Sequence, residues 1–278
     1  MELVVRHQTT YRYETPASQV ALLLRLKPAL LDCQSPQDWE VTVNGLPVET
    51  FMPNAFGDEE AFVQHRAKVD EVVIVASGKV VTRNQNGVVS GFRQEPPLAV
   101  FLRQTPLTRP ERAVLALAHS VAGSDRIARL HALSTRVREE IDYCPGATSM
   151  ASTAAEALLL GKGVCQDHAH VFVSAARVLG IPARYVAGYL LSDEGSQALR
   201  ETHAWAEAWV DGLGWIGFDA TNGLCVTDHY VRLCGGLDAN DAAPVKGSVY
   251  GSTTIAIQAD VMISRAGPDL AQQLQQQQ

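Results

Sequence analysis

Gly161-Lys162-Gly163-Val164-Cys165-Gln166-Asp167-His168-Ala169-His170 is a turn running into a helix, with a cysteine at the junction. Beyond it Ala169, Phe172, Val173, Ala176 and Leu179 recur at three- and four-residue steps until Gly180 and Pro182 close the segment. The two glycines let the chain turn sharply, so the spacing puts Cys165 in the first helical turn. Unpaired backbone N–H groups and the helix dipole favour a thiolate there. This matters because an ordinary thiol, with a pKa of about 8.5, is mostly protonated at neutral pH. A small buried hydrophobe is the other reading of a free cysteine. Position alone does not choose between them.

A nucleophilic cysteine needs a proton partner, and that partner needs an orienting group. Thr202-His203-Ala204-Trp205-Ala206-Glu207-Ala208-Trp209 supplies a candidate for the first. At a strand's period of two, His203, Trp205, Glu207 and Trp209 share one face, and the alanines on the other allow close packing. Trp215-Ile216-Gly217-Phe218-Asp219-Ala220-Thr221-Asn222-Gly223 ends an apolar strand on a carboxylate. Asp219 buried there needs a partner, which a neighbouring strand carrying His203 provides. Taken singly, His203 reads as a structural histidine and Asp219 as a turn acid.

The chain of 278 residues is long enough for two cores, and 46% hydrophobic with 19% charged residues is a globular composition. A net charge of −7 with no block of Lys/Arg argues against nucleic acid or an anionic membrane as partner. The alternating start Glu2-Leu3-Val4-Val5-Arg6 is too short for a signal-peptide core or a membrane span. The five cysteines (Cys33, Cys144, Cys165, Cys225, Cys234) are scattered and odd in number, with no zinc-type framework. They fit a reducing, cytoplasmic setting. Cys165, His168 and His170 could suggest a metal, but His170 leaves the helix on another face. Asp167 suits the helix N-terminus by its charge, and His170 reads as a satisfied core histidine. Calcium-loop spacing is absent, so neither metal nor cofactor is expected.

Strand patterns at Leu3 to Tyr13, Val20 to Leu26, Trp39 to Val43, Phe62 to Ala67 and Val72 to Val81 predict an antiparallel β-sandwich-like domain over residues 1–95. Asp58, Glu59 and Glu60 read there as a solvated turn. A proline-punctuated linker follows at 96–110. Residues 111–268 then carry helices from Pro110-Glu111, from Ser124-Asp125 and from Ser152 or Thr153, and the Cys165 helix. Strands at Arg184 to Leu191, Thr202 to Val210, Trp215 to Asp219 and Ile255 to Ile263 complete that domain. Helices first and antiparallel strands afterward make this an α+β domain. Residues 269–278 are a glutamine-rich tail. The tryptophans read as core by default.

Cysteine, histidine and aspartate in this order and setting resemble the transglutaminase-like superfamily. The likeness is carried by Gly163-Val164-Cys165-Gln166-Asp167 with Ala169-His170, by Leu179 to Tyr189, by His203-Ala204-Trp205-Ala206-Glu207 and by Gly214 to Asn222. His7 with Thr10-Tyr11-Arg12-Tyr13, Leu24 to Pro28 and Asn54-Ala55-Phe56-Gly57-Asp58 are similar to the β-rich domain that precedes the bacterial members. Two departures stand out: Asp219-Ala220-Thr221 where Asp-Pro-Thr is usual, and His168 where an aromatic or apolar residue is common.

The resemblance implies a transglutaminase-like, papain-like core and a triad of Cys165 as nucleophile, His203 as its acid-base partner and Asp219 as orienter. The Cys165 N–H would be one oxyanion donor and the Tyr143 region a candidate for the second. The expected reaction is acyl transfer from a peptide or protein amide through a thioester, with hydrolysis as in a cysteine peptidase or amidase. Transfer to an amine, as in a protein-glutamine transglutaminase, is the alternative. Some members of the superfamily only bind partners, having lost the triad. The sequence does not decide the oligomeric state.

Overall fold

The computed structural model describes residues 1–192, 197–199, 202–252 and 254–266. The glutamine-rich tail expected at 269–278 lies outside them. The first part of the chain is all strand: β1 (Glu2–Ala17), β2 (Gln19–Lys27), β3 (Gln34–Val43), β4 (Leu46–Pro47), β5 (Met52–Pro53), β6 (Glu59–His65), β7 (Val69–Thr82) and β8 (Val88–Val89). Helices α1 (Arg112–Ser120) and α2 (Arg126–Glu140), strand β9 (Asp142–Tyr143), α3 (Ala154–Leu160), β10 (Lys162–Gly163) and α4 (Cys165–Val178) follow. The remainder is β11 (Ala183–Leu190), β12 (Gln197–Leu199), β13 (His203–Val210), β14 (Gly214–Asp219), β15 (Leu224–Cys225), β16 (Tyr230–Gly236), β17 (Val245–Tyr250) and β18 (Ile255–Arg265). The fold is α+β.

The helix starts have local causes. Asp125 accepts the Ala128 N–H, and Thr153 with Glu156 forms a reciprocal capping box at α3. Gly161 ends α3 in the left-handed region at φ 66, which costs glycine little. In the first part, alternation puts Leu3, Val5, Leu22, Leu24, Leu26, Ile74 and Ala76 into the interior. Two sheets result, ordered β12-β18-β1-β7-β3-β4 and β17-β2-β6-β5.

Strand β18 forms where the 255–263 pattern predicts it, but its partner is β1, from Leu3↔Arg265 to Tyr13↔Ile255. Strand β17 likewise pairs with β2. The end of the chain thus returns to the amino-terminal sheets instead of extending the carboxy-terminal one. A strand's partner is set by register and face rather than by proximity in sequence. The segment expected to be a linker is also packed. Its short 3-10 turn, Leu98–Leu102, buries Phe101 completely, and Ser174 and Arg177 of α4 bond to Thr108 O and Phe101 O.

The carboxy-terminal sheet runs β15-β14-β13-β11-β16, with β8 added beside β14. Helix α4 packs on the alanine face of β13, where Ala206 and Ala208 are fully buried beside Phe172, Val173 and Ala176. Sequence periodicity predicts a helix with one apolar face. The structure buries α4 on all sides from Gln166 to Arg177, because the sheet, the 96–110 segment and the other helices surround it. Only its ends escape. Cys165 is one of them.

Candidate active site

Cys165 is the first residue of α4, half-buried, with Val164 in extended conformation before it. The Asp167 carboxylate accepts the Val164 N–H at 2.8 Å and the Thr148 hydroxyl at 2.6 Å, so it caps the turn as its charge suggests. Gly163 is required by contact: a Cβ there would lie 2.7 Å from the Asp167 side chain. Strand β9 pairs in parallel with β10, so Tyr143 sits opposite Gly163, beside the cysteine turn.

His203 opens β13 and Asp219 closes β14, and the two strands are antiparallel neighbours. The structure brings the three residues together. His203 Nε2 lies 2.7 Å from Asp219 Oδ2, and the Cys165 thiol is close enough to act on the charge of the same imidazole. Burial alone would lower the His203 pKa. The hydrogen bonds and charges of Asp219 and Cys165 outweigh it and hold His203 up at about 10. Burial works against the Asp219 carboxylate as well. His203, Asn222 and Tyr230 offset that and keep it below its ordinary value. Asn222 Nδ2 donates to Oδ2 at 2.7 Å, the Asn222 N–H donates to Oδ1 at 3.2 Å, and the Tyr230 hydroxyl donates to Oδ2 at 2.8 Å.

Four residues noted in the sequence have structural roles. His168 spans two carbonyls, Val164 O at 2.9 Å and Ile141 O at 3.0 Å, and ties the first turn of α4 to the end of α2. His170 is only half satisfied: Nε2 accepts the Ala239 N–H, while Nδ1 has no hydrogen-bond partner. Burial brings it down to about 4, so it is neutral. No group of three or more His, Cys, Asp or Glu that could hold a metal occurs among the described residues. Trp205 and Trp215 are core, with 2% and 1% exposure.

The solvated turn expected at Asp58 is the clear correction. Asp58 is fully buried and paired with Arg232 of β16, 174 residues away in sequence. Arg232 continues to Glu207, and Glu207 to Arg184, so a buried ionic row runs beneath the sheet. Glu60 is paired too, with Arg25. Tyr230 was missed with its strand. The signal available was the aromatic and β-branched run Tyr230-Val231-Arg232-Leu233-Cys234 before two glycines, interrupted by the arginine.

Residues 115–220 match the family profile of the transglutaminase-like superfamily, and residues 3–81 match that of the bacterial transglutaminase-like N-terminal region. An uncharacterized protein of Mycobacterium leprae (strain TN) is 31% identical over 281 residues, covering 94% of this chain and 98% of the relative. A protein-glutamine gamma-glutamyltransferase of Pseudomonas aeruginosa is 38% identical over 65 residues, 21% of this chain and 10% of the relative. Among solved structures, one titled a "putative cysteine protease" from Cytophaga hutchinsonii superposes with a TM-score of 0.70 at 20% identity. It covers 95% of this chain and 97% of that one. No described helix is long and apolar enough to cross a membrane.

Proposed function

From the premise that this chain belongs to the transglutaminase-like superfamily, we propose that it is a cysteine-dependent enzyme that cleaves peptide or isopeptide amides. One observation carries the reading. The Asp219 carboxylate bonds to the His203 imidazole, and the Cys165 thiol at the start of α4 acts on the same ring.

In this mechanism the Cys165 proton resides on His203, and Asp219 and the α4 N-terminus stabilise the resulting ion pair. The thiolate adds to the amide carbonyl. The oxyanion lies against the Cys165 N–H, which has no intrahelical acceptor at this position, with the Tyr143 segment as the place for a second donor. His203 then protonates the departing amine, leaving a thioester and a neutral imidazole. Water, deprotonated by His203, hydrolyses the thioester and restores the ion pair. The proton given to the amine and the one taken from water both pass through His203, and the product acid gives its own proton to solvent. No metal or cofactor enters it, and the proposed partner is a peptide or protein amide in the cytoplasm.

Transfer to an amine uses the same three residues. The local likeness to a protein-glutamine gamma-glutamyltransferase favours keeping it as the second reading. Mass spectrometry of peptide mixtures incubated with the protein, with and without an added primary amine, separates the two. Products gaining water support hydrolysis, and products gaining the amine support transfer. Neither product from any amide, with the fold intact, would refute both.

A further inference from the structure

Among the described residues, strand β16 is the edge of its sheet and pairs only with β11. The pairing slips at Ala187/Gly188, where Leu233 is left out of register, a bulge of the kind that re-aims neighbouring side chains. The open edge at Arg232 is filled from the amino-terminal part. Gln34 Oε1 accepts the Arg232 N–H at 2.8 Å, and Gln34 Nε2 donates to Arg232 O at 2.9 Å. These are the two bonds a further strand would make, supplied by a side-chain amide. Asp58 adds the ion pair to the Arg232 guanidinium and accepts the Gly235 N–H at 2.8 Å. Two residues before Arg232, on the same face, Tyr230 reaches Asp219.

We infer that Tyr230 is a positioning residue for the His203–Asp219 pair, and that the amino-terminal domain holds it in place by acting, through Gln34 and Asp58, as the missing neighbour of β16. The inference rests on Cys165, His203 and Asp219 being the reacting groups.

The chemistry follows from one crowded oxygen. Asp219 Oδ2 accepts from His203, Asn222 and Tyr230 together. Each donor takes a share of its charge, so the Tyr230 hydroxyl weakens the pull of Asp219 on the His203 proton. The ring of Tyr230 also lies 6.1 Å from that of His203 and 5.4 Å from that of Trp205, which limits how the imidazole can tilt. Among the described residues, the charged or titratable groups facing His203 are Asp219 of β14, Cys165 of α4 and Tyr230 of β16. Across β11 its partner is Gly188, which carries none. A hydroxyl at position 230 therefore makes His203 a readier acid toward the leaving amine.

The test needs no substrate. The His203 ring is titrated by NMR in the Cys165→Ala protein, where Asp219 and Tyr230 remain its only such neighbours among the described residues. Adding Tyr230→Phe is expected to move the midpoint up by about half a pH unit or more. Gln34→Ala is expected to move it the same way by less, and the two together no further than Tyr230→Phe alone, since both act through one hydrogen bond. Should Gln34→Ala not fold, Gln34→Glu keeps the acceptor for the Arg232 N–H and removes the donor. An unmoved or lowered midpoint in Tyr230→Phe, or shifts that add, would overturn the inference. A shifted midpoint in a protein that turns over no amide would instead count against the proposed reaction and leave the positioning intact.

Discussion

His203 and Glu207 stand four residues apart on one face of β13, and each is an ionisable group tied to a neighbouring strand. Glu207 is fully buried between Arg184 and Arg232, with both carboxylate oxygens engaged. Its charge is compensated from two sides and closed off by Trp215 and Phe92, which lie over the guanidinium of Arg184. His203 has a carboxylate on one ring nitrogen and, close enough to act on its charge, a thiol that is only half-buried. The first cluster can only hold. The second can exchange a proton. A carboxylate compensated on both oxygens makes a structural site, and one reactive partner left accessible makes a chemical one.

Changing one cluster at a time separates the two roles. Cys165→Ala removes the reactive partner alone and is expected to abolish turnover, by about a thousandfold or more, with an unchanged unfolding midpoint. Substantial residual activity would sink the assignment. Glu207→Gln leaves Arg184 and Arg232 short of a buried counter-charge. It should cost roughly 3–5 kcal/mol of stability, measured by urea unfolding. A loss below about 1 kcal/mol would show that the row is not closed. Asp219→Asn keeps the shape and removes the charge that orients His203, so kcat/KM should fall about a hundredfold or more while the fold persists. Gly188→Ala tests how tightly strands β11 and β16 pack around both clusters. Its Cβ would meet Val231 O at 2.2 Å and the Trp205 ring at 2.6 Å, and the overpacking should cost about 1–3 kcal/mol.

The pH dependence of stability carries the same contrast in smaller steps. His203, raised by its partners to about 10 from 6.5, contributes stability that is whole below pH 6.5 and lost as pH rises toward 10. His7 and His170, lowered by burial to about 4, do the opposite. Their contribution is whole above pH 6.5 and lost as pH falls through 4, because the unfolded chain takes up the protons first. Each of these groups gives a slope of about 1.4 kcal/mol per pH unit inside its window. The His203→Ala protein should lose the alkaline slope and keep the acid one. A persistent alkaline slope would place the group responsible elsewhere.

Much of this was legible in the sequence because it is local. The caps at Asp125 and Thr153, the turn into Cys165 and the alternation along β1 and β13 involve residues within a few positions of one another. What was hidden joins distant positions. Nothing near Asp58 announces that it will be buried on Arg232, and two more acids beside it imitate a solvated turn. Strand β16 is short and carries a charged residue at its centre, so its pattern looked broken. Arg232 is tolerated there only because Asp58 and Glu207 arrive from other elements. Strand β18 reads correctly as a strand and β17 goes unread, and the partners of both lie more than two hundred residues earlier along the chain, where periodicity carries no information.

Competitive alkylation bears most directly on the central claim that Cys165 and His203 share a proton. Iodoacetamide at pH 6 to 7, followed by peptide mass spectrometry, compares Cys165 with the thiols at Cys33, Cys144, Cys225 and Cys234 in one sample. Cys165 should react first by at least about tenfold, and His203→Ala should remove the advantage. Labelling of Cys165 no faster than Cys144, or an advantage that survives His203→Ala, would contradict the account.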